Sequence, residues 1–403
     1  MGTQTFVDLR AEAVLDPAIC PDATSPLSSS VNAILLTGAT GFLGAFLLDE
    51  LLQQTQADIY CLVRASNLES AKNKLQSCLK SYLLWDESLN HRIIPVVGDL
   101  SQPGLGLCEE DFRAIASQID VIYHNGAWVH HAYPYSTLKA TNVLGTQEVL
   151  RLASQIKVKP VHFISTTSVF SADGDSGVKV VREQDSLDDW SIPSNGYAQS
   201  KWVAEMLVML ARDRALPISI YRLGRISGHS QTGMFNVNDF LYRLIIGCIQ
   251  LGGAPAGEIM LDIMPVDYVS KAIVSLSRQS QSLGKAFHLV NPYPLSSNHL
   301  IETIRSIGYP LQQITEKEWQ DKLLHLGEDS PEHSLYPLIP FFLEKDSQNP
   351  TADLQFDSQE TLEELENLSI FCPKVDEAVL HTYFSHLIKD GFLEAPPQHE
   401  ICC

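Results

Sequence analysis

The chain has 403 residues, 45% hydrophobic and 19% charged, an ordinary globular composition long enough for two or three domains. Its 28 Lys+Arg against 48 Asp+Glu leave a formal charge of −20, which argues against general binding to nucleic acid or to an anionic membrane. The eight cysteines are scattered, and no basic segment precedes an apolar run at the start. That pattern predicts reduced thiols, a cytoplasmic setting and no special role for the terminal Cys402 and Cys403.

Residues 1–30 lack periodicity, and CPDATSPLSSS reads as a linker, as in a domain of a longer polypeptide. From Val31 onward short β-rich runs alternate with amphipathic runs. The predicted strands are Ala33–Thr37, Ile59–Val63, Ile93–Val97, Val121–His124, Val161–Ser165 and Ile218–Arg222. The predicted helices between them are Leu43–Gln54, Leu68–Leu84, Tyr135–Gln155 and Tyr197–Ala211. Strand alternating with helix means an α/β fold, a doubly wound parallel sheet of Rossmann type. Further on, Asn238–Leu251 and Asp267–Arg278 read as helices, and Ile259–Met264 and 287–291 as strands. LYPLIPFF at 335–342 reads as a buried loop. Residues 31–292 are therefore assigned to the dinucleotide-binding domain, and 293–403, with 225–265, to a smaller, mostly helical substrate lobe. The uncharged run 33–48 is shorter than the ~20 residues of a membrane helix and is interrupted by glycines.

Thr37-Gly38-Ala39-Thr40-Gly41-Phe42-Leu43-Gly44 follows a strand and opens a helix, the context of a dinucleotide-binding turn. Gly38 permits the tight turn, Gly41 a close approach of pyrophosphate, and Gly44 close helix packing, with the helix N-terminus facing the phosphates. An acidic residue about 20 positions on would bind a ribose 2′-hydroxyl. Arg64 stands there instead and suits a 2′-phosphate, so NADPH is the expected cofactor. Lys74 and Arg92 are either further phosphate ligands or solvated surface charges. Asp99 and Leu100 end the third strand at the adenine edge, where Asp99 serves either the adenine amino group or a turn.

Tyr197 and Lys201 lie four apart on a predicted helix, hence on one face. A cation one turn away favours the phenolate and lowers the tyrosine pKa. Four hydroxyls, Ser165 to Ser168, follow the fifth strand, and Thr166 is chosen among them as a donor to a substrate carbonyl. The long acidic segment 171–195 is either a mobile lid or a static loop. Met234, Phe235 and Met264 are candidates for an acyl pocket or plain core. His124, His130 and His131 lack the companions of a metal site, so no metal is expected.

TGATGFLG, HNGA (124–127), NVLGT (142–146), STTSVF and YAQSK resemble the extended short-chain dehydrogenase/reductase superfamily. CLVRA, YLLW, GDLSQPGLGL, RLGRISGHSQTG, MPVDYV and YFSHLIKDGFL are similar to one branch of it. That branch is the thioester reductase domains ending nonribosomal peptide and polyketide assembly lines and carboxylic acid reductases. The resemblance implies a catalytic set of Thr166, Tyr197 and Lys201, with Lys201 also on the nicotinamide ribose. It places Asn125, Gly126 and Ala127 along the cofactor, and Asn142 there or in helix packing. It further implies a thioester held on the phosphopantetheine arm of an acyl or peptidyl carrier protein, within the same polypeptide, and reduced to an aldehyde or on to an alcohol. Such carriers are acidic like this chain, so docking requires a local patch or tethering. A monomeric domain is expected. A nucleotide-sugar epimerase or dehydratase, a fatty acyl reductase and a non-enzymatic NADP sensor are the competing readings. The family's Pro is replaced by Leu223 in RLGR.

Overall fold

A computed structural model describes residues 8–21, 30–130, 132–172, 178–330, 332–339, 342 and 354–397. All five residues of the apolar run β1 (Ala33–Thr37) are buried, as a parallel strand covered on both faces requires. The glycine turn leads into α1 (Phe42–Gln54), followed by β2 (Asp58–Val63), α2 (Leu68–Ser81) and β3 (Ile93–Val97). Next come α3 (Glu109–Gln118) and β4 (Val121–His124). Helix α4 is continuous, from Tyr135–Lys139 through a π-helical Ala140–Leu144 into Gly145–Ser154. Then follow β5 (Val161–Thr166), α5 (Gly196–Asp213), β6 (Ile218–Leu223), α6 (Val266–Ser277) and β7 (Ala286–Leu289).

The seven strands form one sheet in the order β7-β6-β5-β4-β1-β2-β3, every pair parallel. The winding direction reverses between β1 and β4. The carboxyl ends of strands at such a switch point open a ligand crevice. Helix α3 is not among those the hydrophobic pattern marks. Its buried side is just Phe112 and Ala116, and its start rests on the Cys108 cap and three acidic residues in the first turn.

The chain divides into two compact units. The first comprises residues up to Leu223, Ser270–Leu289 and 354–370 and holds the sheet. Residues 354–370, which the sequence groups with the C-terminal lobe, fall in this unit because Leu354–Phe356 pairs with Lys179–Val181. The second unit is mostly helical, with Phe240–Leu251, Ser297–Ile307, Glu316–Asp329 and Glu377–Lys389 around a core that includes Leu300, Trp319 and Tyr383. The single strand expected over Ile259–Met264 is two, Met260–Leu261 and Ile263–Pro265, paired with different partners. Between them the Asp262 carboxylate accepts the Asn291 amide at 2.6 Å. Met234, Phe235 and Met264 are buried, and the Phe235 ring meets Tyr383 edge-on at 5.4 Å. Among the described residues no helix is long and apolar enough to cross a membrane.

Candidate active site

The glycine turn is built on close backbone approaches. Gly38 has φ +73°, and a Cβ there would lie 2.7 Å from the Gly126 Cα and 2.9 Å from the Asn125 side-chain Nδ2. A Cβ on residue 44 would sit 1.9 Å from the Gly38 carbonyl oxygen, so α1 presses on the turn itself. Thr40 and Gly41 are exposed, and no side chain caps the start of α1. Its first N–H groups are thus open to an anion. Leu43 is buried behind them, and Phe42 packs edge-on against Tyr82 at 5.4 Å. Asn125 donates to the Gly38 carbonyl at 3.3 Å. Ala127 is half-buried beyond it. Leu100 lies against Gly126, where a Cβ would meet its Cδ1 at 2.6 Å.

A hydrogen-bond chain ties β1, β4 and α4 together. The Gly126 amide donates to Thr37 Oγ1 at 2.8 Å, and that hydroxyl lies 2.8 Å from His124 Nδ1. His124 Nε2 lies 2.9 Å from Thr146 Oγ1, which donates to the Asn142 carbonyl at 2.7 Å. The threonine protons fix the tautomer: Thr37 donates to Nδ1, and Nε2–H donates to Thr146. Burial, with Lys201 adding to it, pushes His124 down to about 3, so the ring is neutral. His130 stacks on Tyr133 at 3.6 Å, and His131 lies outside the described residues. No group of three metal-ligating side chains occurs among the described residues.

The Asn142 side chain is saturated. It accepts the Trp128 amide at 2.7 Å and donates to the Trp128 carbonyl at 3.1 Å and to Ser200 Oγ at 2.9 Å. It clamps the loop after β4 to α5, within the YAQSK segment. The same loop closes on Gly196, where a Cβ would come within 2.3 Å of the Tyr133 carbonyl.

Helix α5 starts at Asn195, whose side chain accepts the Ala198 amide, and carries Tyr197 and Lys201. Lys201 Nζ donates to the Ile164 carbonyl at 2.8 Å and stands 4.1 Å from the centre of the Phe163 ring. Burial pushes it down to about 8, against the opposing pull of Glu205. Tyr197 departs from the expected lowering: burial pushes it up to about 12. With the ammonium of Lys201 directed at a β5 carbonyl, desolvation of the phenolate dominates. Tyr197 is therefore a protonated phenol at neutral pH.

Of the four hydroxyls at the end of β5, Ser165 donates to Glu205 Oε2 and Thr167 donates to the Leu223 carbonyl at 3.3 Å. Thr166 and Ser168 pair weakly with each other at 3.3 Å, which leaves those two hydroxyls the easiest to redirect. In the segment 171–195, residues 173–177 lie outside the described residues. The rest is anchored by the Lys179–Val181 pairing and by the buried Glu183.

Arg64 is exposed just past β2, and Lys74 holds its carbonyl at 2.7 Å. Arg92 is neither a phosphate ligand nor a surface charge. It is buried, and its guanidinium donates to the Leu52, Thr55 and Ala57 carbonyls at 2.7–3.1 Å. It thereby closes the C-terminal end of α1. Asp99 takes the turn role with one oxygen, which accepts the Ser101 amide and hydroxyl, each at 2.8 Å.

Residues 36–273 match the family described as male sterility protein, an NAD-binding domain. The chain belongs to that family. It is 45% identical over 390 residues to a linear gramicidin synthase of Brevibacillus parabrevis, covering 96% of this chain and 8% of that protein. The crystal structure of the terminal R domain from the myxalamid PKS-NRPS biosynthetic pathway superposes with a TM-score of 0.90 at 43% identity, covering 96% of this chain and 99% of that one. UDP-glucuronic acid 4-epimerase from Bacillus cereus, solved with NAD, shares the fold alone, at 18% identity and a TM-score of 0.61 over 89% of this chain and 99% of that one. The fold is thus that of an extended short-chain reductase, and the chain spans a small part of the curated synthase it matches.

The residues fit a nicotinamide dinucleotide: a glycine cradle that any Cβ would fill, an uncapped helix start and a switch point lie together. Sequence reasoning missed Thr146, Ser200 and the Ser165–Glu205 contact. Glu205 carried one signal, an acidic residue on the buried face of α5 one turn past Lys201.

Proposed function

We propose that this domain reduces a carrier-bound acyl or peptidyl thioester to an aldehyde and a free thiol, using NADPH. The observation that carries it is a half-buried Tyr197 one turn from Lys201, whose ammonium holds the strand that ends in Thr166, in a chain 43% identical to a terminal R domain. A bound nicotinamide supplies the hydride. Tyr197 and Thr166 donate hydrogen bonds to the thioester carbonyl oxygen, where negative charge develops in the transition state. Tyr197 then gives its proton to that oxygen, and the hemithioacetal collapses with release of the thiol. Lys201 is held by the Ile164 carbonyl beside Tyr197 and offers its remaining N–H groups to the ribose. Arg64 at the end of β2 selects the 2′-phosphate. The thioester arrives on a phosphopantetheine arm, with the carrier in the same polypeptide; tethering raises the effective concentration to about millimolar despite like charge.

The test follows nicotinamide absorbance and free thiol together, with NADPH and an acyl-pantetheine or carrier-bound thioester. Loss of both signals in Tyr197→Phe, with NADPH binding intact, supports the reading. One NADPH consumed per thiol means aldehyde, and two mean alcohol. NADPH binding without thiol release, even from a loaded carrier, sinks it.

A further inference from the structure

Behind the site lies a buried ionic network that the chemistry above does not use. Glu205 is fully buried on α5, one turn past Lys201. Arg222 Nε and Nη2 on β6 each lie 2.8 Å from its Oε1, and the Ser165 hydroxyl donates to its Oε2. Both carboxylate oxygens are therefore engaged, from two different strands. Arg222 is itself saturated. Its Nη1 donates to the Glu183 carbonyl at 3.0 Å and to His288 Nε2 at 3.2 Å, and its guanidinium stands 4.6 Å from the centre of the Phe170 ring. His288 Nδ1 in turn donates to the Asp357 carbonyl at 2.7 Å. A pair this deep has a large desolvation cost and is weak evidence for stability as such. Its position is informative: Ser165 is the neighbour of Thr166, and Glu205 is the helical neighbour of Lys201.

We propose that Glu205 is a positioning residue of the reductase site, fixing α5 against the end of β5 and holding Lys201 as a cation. This rests on the reductase reading for its consequence in catalysis, though not for its effect on Lys201. Helix α5 has Tyr197 and Lys201 in its first turns, while Thr166 sits on β5. The Ser165–Glu205–Arg222 tie sets the rotation and height of that helix relative to the strand, hence whether two donors reach one carbonyl oxygen. Among the described residues, the charged and titratable groups around Lys201 come from three elements. On its own helix are Tyr197 and Glu205. From β4 comes His124, which is neutral, and from β5 the Ile164 carbonyl and the Phe163 ring. Arg222 on β6 pairs with Glu205 and not with Lys201. The carboxylate is thus the counter-charge opposing the desolvation of Lys201.

The experiment uses the full chain, lysine-labelled with 13C at Cε, with the Lys201 resonance assigned by Lys201→Arg. Its titration is followed in the cofactor-free protein, alongside pH profiles of thioester-dependent NADPH oxidation. In Glu205→Gln the Lys201 midpoint should fall by about one pH unit, and the alkaline limb of kcat should move with it. Glu205→Asp keeps the charge but shortens the reach. It should retain the midpoint and lose kcat about tenfold with KM unchanged. If Glu205→Gln fails to fold, Ser165→Ala removes a single contact and should lower kcat several-fold without changing KM. A Lys201 midpoint that stays at the wild-type value in Glu205→Gln overturns the proposal. So does unchanged kcat in Glu205→Asp and Ser165→Ala. Absence of thioester reduction in the wild type would overturn the reductase reading, while the Lys201 titration would still decide the role of Glu205.

Discussion

The carbonyl oxygen of Gly38 lies 1.9 Å from the point a Cβ on residue 44 would occupy, a separation that a carbon and an oxygen not bonded to each other cannot hold. The first turn of α1 is in effect seated on the turn that precedes it. Gly44→Ala must push the two apart, and the obstacle is backbone, which cannot rotate away. Overpacking of this kind costs about 1–3 kcal/mol. The displaced helix start should also weaken NADPH binding at least tenfold. Fluorescence titration and a urea midpoint read both effects. Wild-type binding in Gly44→Ala would show that the turn does not seat the cofactor.

Thr166 Oγ1 meets the Ser168 hydroxyl at 3.3 Å and accepts the Ser168 amide at 3.2 Å, so substitution has to separate the two roles. Thr166→Val should lower kcat about 10²–10³-fold, the usual loss for one donor to a developing oxyanion. Ser168→Ala should stay within a few-fold of wild type. The reverse order would move the role to Ser168.

Arg64 is exposed and positioned through its own backbone by Lys74. Removing a charged hydrogen bond to phosphate costs about 1.5–3 kcal/mol, roughly 10–150-fold in affinity. Arg64→Ser should weaken NADPH by that factor and leave NADH unchanged. Equal weakening of both would place Arg64 away from the 2′-phosphate.

His124 is neutral in the fold, pushed down to about 3, and returns to its ordinary value of about 6.5 once unfolded. Between those two values the unfolded chain binds the extra proton. This group's stabilisation is therefore complete above about pH 6.5 and declines as pH falls. His124→Gln should destabilise the protein at pH 8. The gap from wild type should narrow by about 2 kcal/mol at about pH 5. Denaturant titrations at the two pH values measure it. A gap that widens in acid would mean that the histidine is charged in the fold.

Much of the architecture could be read from the chain because it depends on neighbours in sequence. The runs at Ala33, Ile93 and Val121 end where the strands end, since continuous apolar residues bounded by turns signal buried parallel strands. The glycine spacing and the Tyr197–Lys201 spacing are likewise local, set by a turn and by one helical repeat. Helix α3 escaped because its apolar side is too short to give a period.

What the tertiary structure alone decided is the state of each buried polar group. Arg92 turned out to hold three carbonyls, His124 to sit neutral between Thr37 and Thr146, and Glu205 to bind Arg222 and Ser165. Tyr197 reversed its expected shift because burial outweighs a cation that is directed elsewhere. Desolvation and hydrogen-bond saturation come from partners tens or hundreds of residues away. No local pattern encodes them, whereas helical and strand periods are written within a few residues.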